Sequence, residues 1–247
     1  MNEPRSVYIP LEGRVAVVSG GGKGLGRSFC LALARQGARV VVNNHNRDAD
    51  AAGRVVAEIA AAGGEAVADY GDVADPGSGQ AMVAAALERW GRLDICVANA
   101  AIGTPGMFHK QPAEEFGRVI DVNLLGSARL ARAAMAVMRP AGFGRIILVA
   151  SAGGLHGDVG LSAYAASKGG MLALGRTLAV EGAPRGVLTN TSSPAEAGCG
   201  GHRWWSGTRS SYRTGRIFTR VSCTPCWPRA AQGSRMSTAS RWTRSTT

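Results

Sequence analysis

The run Arg14-Val-Ala-Val-Val-Ser19 passes without a spacer into Gly20-Gly-Gly-Lys-Gly-Leu-Gly26 and then into a helical apolar pattern at Leu25, Phe29, Leu31, Ala32 and Leu33. A strand that is apolar at nearly every position is one buried on both faces, as in the middle of a parallel sheet. A glycine-rich turn leading straight into a helix leaves backbone N–H groups free at the helix N-terminus, where a pyrophosphate can sit. The turn alone is weak evidence, because tight turns use glycine whether or not anything binds. Its place between a first strand and a helix is the informative part.

The same alternation continues and predicts an α/β fold: a doubly wound, Rossmann-type parallel sheet in a single domain. A helix over 25–36 is closed by Gly37. Then come a strand at 39–43, a helix over 51–62 ended by Gly63-Gly64, a strand at 65–70, and a helix running to Trp90. Asp75-Pro76 reads as the N-cap and first-turn proline of that last helix. A strand at 93–98, one long helical stretch over about 112–138, a strand at 145–150, a helix over roughly 163–181 and a strand from 186 to 191 complete the pattern. In such sheets ligands bind at the carboxyl ends of the strands.

Tyr164-Ala-Ala-Ser-Lys168 sets a phenol and an ammonium four residues apart, on one face of a helix. At ~5 Å and an effective dielectric near 20, an ammonium favours a phenolate by about 3 kcal/mol, so Tyr164 could exchange protons. The plainer alternative is a partly buried tyrosine beside a solvated lysine. Against it, the chain has only three lysines, Lys23, Lys110 and Lys168, and two of them fall in proposed sites. Ser151 follows the fifth strand, where its hydroxyl can meet a substrate oxygen that also faces Tyr164; a loop or cap serine is the alternative. Asn123 interrupts the apolar stretch 119–130 and needs a partner if buried. That partner is either structural or a water leading to Lys168.

These motifs, in this order, resemble the short-chain dehydrogenase/reductase family over about residues 12–194. The family's TGxxxGxG turn is matched by Ser19, Gly20, Gly24 and Gly26, with Ser for Thr; its NNAG stretch appears as Ala98-Asn99-Ala100-Ala101. The resemblance implies a catalytic set of Asn123, Ser151, Tyr164 and Lys168. It implies cofactor contacts at Ser19, Gly20, Lys23, Gly24, Leu25, Gly26, Asn44, Asp72, Val73, Asn99, Tyr164 and Lys168. It also implies hydride exchange between a nicotinamide and a small-molecule carbonyl or secondary alcohol, in a homodimer or homotetramer. The end of the second strand reads Asn43-Asn44-His45-Asn46-Arg47, with no acid before Asp48 to repel a 2′-phosphate, and Lys23 adds a cation; NADP(H) is favoured over NAD(H). Against this, Val40–Asn43, 66–70, 145–148 and 157–160 look like the NAD-using hydroxyacyl-CoA dehydrogenase domain of multifunctional β-oxidation enzymes, which act on 3-hydroxyacyl thioesters.

The resemblance stops near Pro194. Of 28 basic and 17 acidic residues, nine arginines and one acid, Glu196, lie beyond it, so most of the formal charge of +11 belongs to residues 195–247. That segment also holds four of the five tryptophans and no leucine, too few aliphatics to build a core. The division is therefore a dehydrogenase body at 1–194 and an atypical, disordered tail at 195–247, with the composition of GC-rich DNA read out of frame. Two rival readings are a cofactor-binding protein whose catalysis is impaired and a nucleic-acid binder acting through the tail's Arg and Trp side chains, the weaker alternative. Cys223-Thr-Pro-Cys226 lacks a second ligand pair, so no metal site is expected. Cys30 and Cys96 sit in apolar segments. No apolar run approaches the ~18 residues of a membrane span and nothing reads as a secretory leader, so a cytoplasmic protein with no membrane partner is expected.

Overall fold

The computed structural model describes residues 10–45 and 50–193. Asp48, the boundary at Pro194 and every expectation for residues 195–247 lie outside them. Among the described residues, six strands, β1 (Val15–Val18), β2 (Arg39–Asn43), β3 (Ala66–Asp69), β4 (Ile95–Ala98), β5 (Gly144–Val149) and β6 (Val187–Ser192), form one sheet in the order β3-β2-β1-β4-β5-β6. Each described pairing is parallel. The helices are α1 (Gly24–Arg35), α2 (Ala51–Ala61), α3 (Ser78–Trp90), α4 (Ala113–Ile120), α5 (Ser127–Ala141), α6 (Gly153–His156) and α7 (Ser162–Gly182). This is the doubly wound, Rossmann-type architecture expected of the alternation.

Side chains alternate across the sheet, and each face is covered. Val15 and Val17 point into a layer with Met82 and Val83 of α3, Leu130, Ala134 and Met138 of α5, and Met171 of α7. Ala16 and Val18 point the other way, with Val40, Val42, Cys30, Leu31, Val55 and Ile59. Each fully buried aliphatic contributes about 1.5–3 kcal/mol, which explains why β1 tolerates no polar position between Val15 and Val18. Burial pushes the thiols of Cys30 and Cys96 up to about 12. Among the described residues, no helix is long and apolar enough to cross a membrane.

Two helical boundaries differ from expectation. Helix α3 starts at Ser78 with Gly77 as N-cap, not at Asp75-Pro76. The reason is a closed turn: Ser78 donates its N–H (3.1 Å) and its hydroxyl (2.8 Å) to the Asp75 carbonyl. The single helix expected over 112–138 is instead α4 and α5 joined by a π-helical segment, Asp121–Gly126, and α5 runs on to Ala141. A one-residue π expansion shifts the apolar repeat by about 100°, no more than the width of one apolar stripe, so periodicity does not reveal it.

Candidate active site

The strand order reverses between β1 and β4, and the glycine-rich turn lies at that switch point. Two side chains lace the strand ends together. Ser19 Oγ accepts the N–H groups of Asn99 (3.0 Å) and Ala100 (3.2 Å), while Asn99 Nδ2 donates to the carbonyls of Ser19 and Gly20, both at 3.1 Å. Gly26 then passes so close that a Cβ there would lie 2.0 Å from the Gly20 oxygen. Gly24, at φ +54°, is the opposite case: nothing lies within 4 Å of where its Cβ would stand. Helix α1 begins there with no side-chain cap hydrogen bond and no acid in its first turn, and it turns the positive end of its dipole toward the cradle. A cradle floored by Gly26 and open above Gly24 fits a dinucleotide's pyrophosphate.

Gly26→Ala is accordingly expected to cost about 3 kcal/mol of stability through a backbone clash. Gly24→Ala should cost about 1 kcal/mol, for the left-handed conformation alone. Urea unfolding of the two variants checks this, and equal costs would contradict the packing described.

At the end of β2 the polar residues face inward. Asn43 is buried; its Oδ1 accepts the Gly20 N–H (3.4 Å) and its Nδ2 donates to Asp69 and to the Gly71 carbonyl (2.9 Å). Asn44 is also buried, packed beneath Gly22, where a Cβ would come within 2.7 Å of its Cγ. Asp72 follows β3. Its Oδ1 accepts the Ala74 N–H (2.9 Å), and its Oδ2 accepts Arg118 at 2.6 Å with His45 Nε2 at 3.4 Å. Burial alone would raise the Asp72 carboxyl, but the Ala74 N–H, the Arg118 guanidinium and His45 together hold it below the usual carboxylate range. Val73 turns into the core beside α3 and α5.

The second cluster gathers beyond β4 and β5. Lys168 is 2 % exposed, and its Nζ donates to the Val149 carbonyl at 2.6 Å, tying α7 to the end of β5 two residues before Ser151. The same Nζ lies 5.6 Å from the centroid of the Tyr164 ring. Burial pushes the Lys168 ammonium down from 10.5 to about 8. Ser151 is half-buried, and its Oγ accepts the Gly153 N–H at 3.2 Å, leaving its own proton to donate. Gly154 packs on α7 so tightly that a Cβ would sit 2.6 Å from the Lys168 carbonyl carbon, which brings the Ser151 turn onto the Tyr164 helix.

Asn123 occupies the π segment and is 0 % exposed. Its Oδ1 accepts the Ile102 N–H (2.8 Å); its Nδ2 donates to the Ile102 carbonyl (2.9 Å) and to Ser167 Oγ (3.1 Å). Ser167 in turn donates to the Tyr164 carbonyl at 2.7 Å. The Asn123 side chain is therefore a clamp that joins the loop after β4, through Ile102, to α7, through Ser167.

The structure thus places the residues singled out from sequence at the carboxyl ends of the strands, in a glycine cradle with the β2 end and a Tyr–Lys–Ser cluster. Sequence reasoning missed Asn43, Arg118 and Ser167. Asn43 left a signal, a polar side chain ending an otherwise apolar buried strand. Arg118 and Ser167 left none, since each partner is more than forty positions away in sequence.

Known proteins resemble the chain over most of the described residues. A family model described as short chain dehydrogenase matches residues 14–199. Peroxisomal multifunctional enzyme type 2 of Drosophila melanogaster is 42% identical over 193 residues, covering 75% of this chain. The chain spans only 32% of that relative's length. Among solved structures, a short chain dehydrogenase from Mycobacterium avium is 42% identical with a TM-score of 0.72, over 75% of this chain and 71% of that one. An NAD+-bound xylitol dehydrogenase is 29% identical with a TM-score of 0.71, over 74% of this chain and 70% of the other.

Proposed function

Because the chain belongs to the short-chain dehydrogenase family, we infer that it is an oxidoreductase exchanging hydride between a nicotinamide cofactor and a carbonyl or secondary alcohol, with 3-oxoacyl or 3-hydroxyacyl thioesters as its substrate class. The observation that carries this reading is the pairing of Tyr164 with a buried Lys168 whose Nζ is fixed on the Val149 carbonyl, 5.6 Å from the phenol ring centroid. When bound, a nicotinamide supplies or takes the hydride. The chain's own residues handle the proton. Tyr164 gives or takes it at the phenolic oxygen, Ser151 Oγ donates to the substrate oxygen and fixes its direction, and Lys168 ties the helix that carries the phenol to the end of β5. Asn123 acts through the clamp on Ile102, which holds the wall of the site in register.

The cofactor would lie along Ser19, Gly20 and Lys23–Gly26, past Asn44 and the Asp72–Val73 turn, with Asn99 bracing the cradle from β4. NADP(H) is the favoured form and NAD(H) the alternative. Asn43 and Asn44 spend their amides internally, and Asp72 is paired with Arg118, so no unpaired carboxylate described at the end of β2 stands against a 2′-phosphate. The 3-acyl thioester class rests on the likeness to the multifunctional relatives. Self-association through α5 and α7 belongs to the same reading, as does a cytoplasmic setting. The groove between those helices, lined by Arg132, Met135, Leu174, Leu178 and Glu181, is the surface it would use.

Titrating the chain into NADPH and NADH, and then adding a 3-oxobutanoyl thioester, tests the whole. The expected result is enhanced nicotinamide fluorescence, stronger affinity for NADPH, and loss of 340 nm absorbance on adding the thioester, as any reduced nicotinamide shows when oxidised. Binding to neither nucleotide would sink the assignment. Binding without turnover of any carbonyl would leave a cofactor-binding protein only.

A further inference from the structure

The loop between β4 and α4 forms one wall beside Tyr164: a side chain at Gly103 would begin 3.8 Å from the Tyr164 ring. It is pinned at Ile102 by Asn123 and at Gly106, whose N–H donates to the Gly160 carbonyl at 2.8 Å in a bridge to Leu161. A third fastening comes from Gln111. Its Nε2 donates to Thr104, to the carbonyl at 3.2 Å and the hydroxyl at 3.0 Å; its Oε1 accepts the hydroxyl of Ser162 at 3.1 Å. Ser162 is the first residue of α7, two positions before Tyr164. Gln111 therefore joins the wall to the first turn of the helix that carries the phenol. The job needs a donor and an acceptor on one short planar group, which an amide has and a carboxylate or an ammonium lacks. Between these fastenings the loop exposes Met107 (51 %) and Phe108 (71 %), an apolar surface whose position the clamp sets.

We propose that Gln111 is a positioning residue: by cross-linking the loop after β4 to the start of α7 it holds the wall that faces Tyr164, and so governs how tightly the carbonyl substrate is held. This rests on the oxidoreductase reading above. The test compares Gln111→Ala, Ser162→Ala and the double variant with the wild type, using NADPH and a 3-oxobutanoyl thioester. Gln111→Ala should raise the thioester KM about tenfold, the size expected from losing the net contribution of one or two hydrogen bonds, with kcat changed less than about threefold. NADPH affinity should stay within about twofold, because the glycine cradle is untouched. Ser162→Ala should raise KM less, and the double variant should be no worse than Gln111→Ala alone, since both remove one clamp. Amide exchange at Gly106 should quicken in Gln111→Ala. An unchanged KM, additive effects, or equal losses in KM, kcat and NADPH affinity would overturn the proposal while the oxidoreductase reading stands. A wild type that turns over no carbonyl would take both down.

Discussion

Tyr164→Phe should lower kcat by about 10²–10⁴-fold, the usual contribution of a positioned general acid or base, while NADPH affinity stays within about twofold. The substitution removes one oxygen and no packing. Tyr164 is partly exposed, its ring stays where Gly103 and Lys168 meet it, and the bond it shares with Ser167 runs to its backbone carbonyl, which the substitution leaves in place. Stability should therefore change by less than about 0.5 kcal/mol, as for a partly exposed side chain without a buried polar role. Steady-state kinetics beside fluorescence titration separate the two effects. A Phe variant that keeps more than a tenth of wild-type turnover would remove Tyr164 from the proton-transfer step, and Ser151 would then be the next candidate donor.

Lys168 should give the molecule a pH dependence of unusual sign. Burial holds its ammonium at about 8, against 10.5 for the ordinary side chain taken up on unfolding. Below pH 8 both states carry the proton, and the folded state bears the whole cost of an ammonium 2 % exposed. Between about 8 and 10.5 the unfolded chain binds the proton and the folded chain does not, so folding gains as pH rises. The gain is worth about 3 kcal/mol at about 1.4 kcal/mol per pH unit. Urea unfolding from pH 7 to 10 should show the wild type closing its deficit relative to Lys168→Met by roughly that amount, on the same scale. Parallel curves for the two proteins would refute the burial argument.

The strands were readable because burial on both faces writes itself as an uninterrupted apolar run; Val15–Val18 and Val40–Val42 are the clearest cases. The glycine cradle was readable because Gly26 meets the Gly20 carbonyl at a distance that admits no other residue. Tyr164 and Lys168 lie one helical turn apart, so their shared face follows from helix geometry. The direction of each polar side chain was not readable. Asn123 left open a structural partner or a water leading to Lys168, and nothing in the sequence says that its amide meets the N–H and C=O of a single residue, Ile102. Likewise the Lys168 ammonium takes the Val149 carbonyl, because a buried cation settles on the nearest strong acceptor. Gln111 and Ser162 stand 51 residues apart and leave no periodic trace, so only the folded chain pairs them.

The π-helical segment Asp121–Gly126 has one more consequence. From Val119 to Met138, both buried, the chain advances nineteen residues, whereas five turns of regular α-helix take about eighteen. The extra residue works as a phase shifter between two stripes that answer to different neighbours, α4 beside α7 and α5 against α3 and the sheet. Without it, one stripe would be rotated by about 100° relative to the other. The Asn123 amide would then point away from Ile102 whenever Leu130 and Met138 were correctly buried. A local widening of the helix lets one continuous rod satisfy the core at one end and aim an amide at the reactive edge of the sheet at the other.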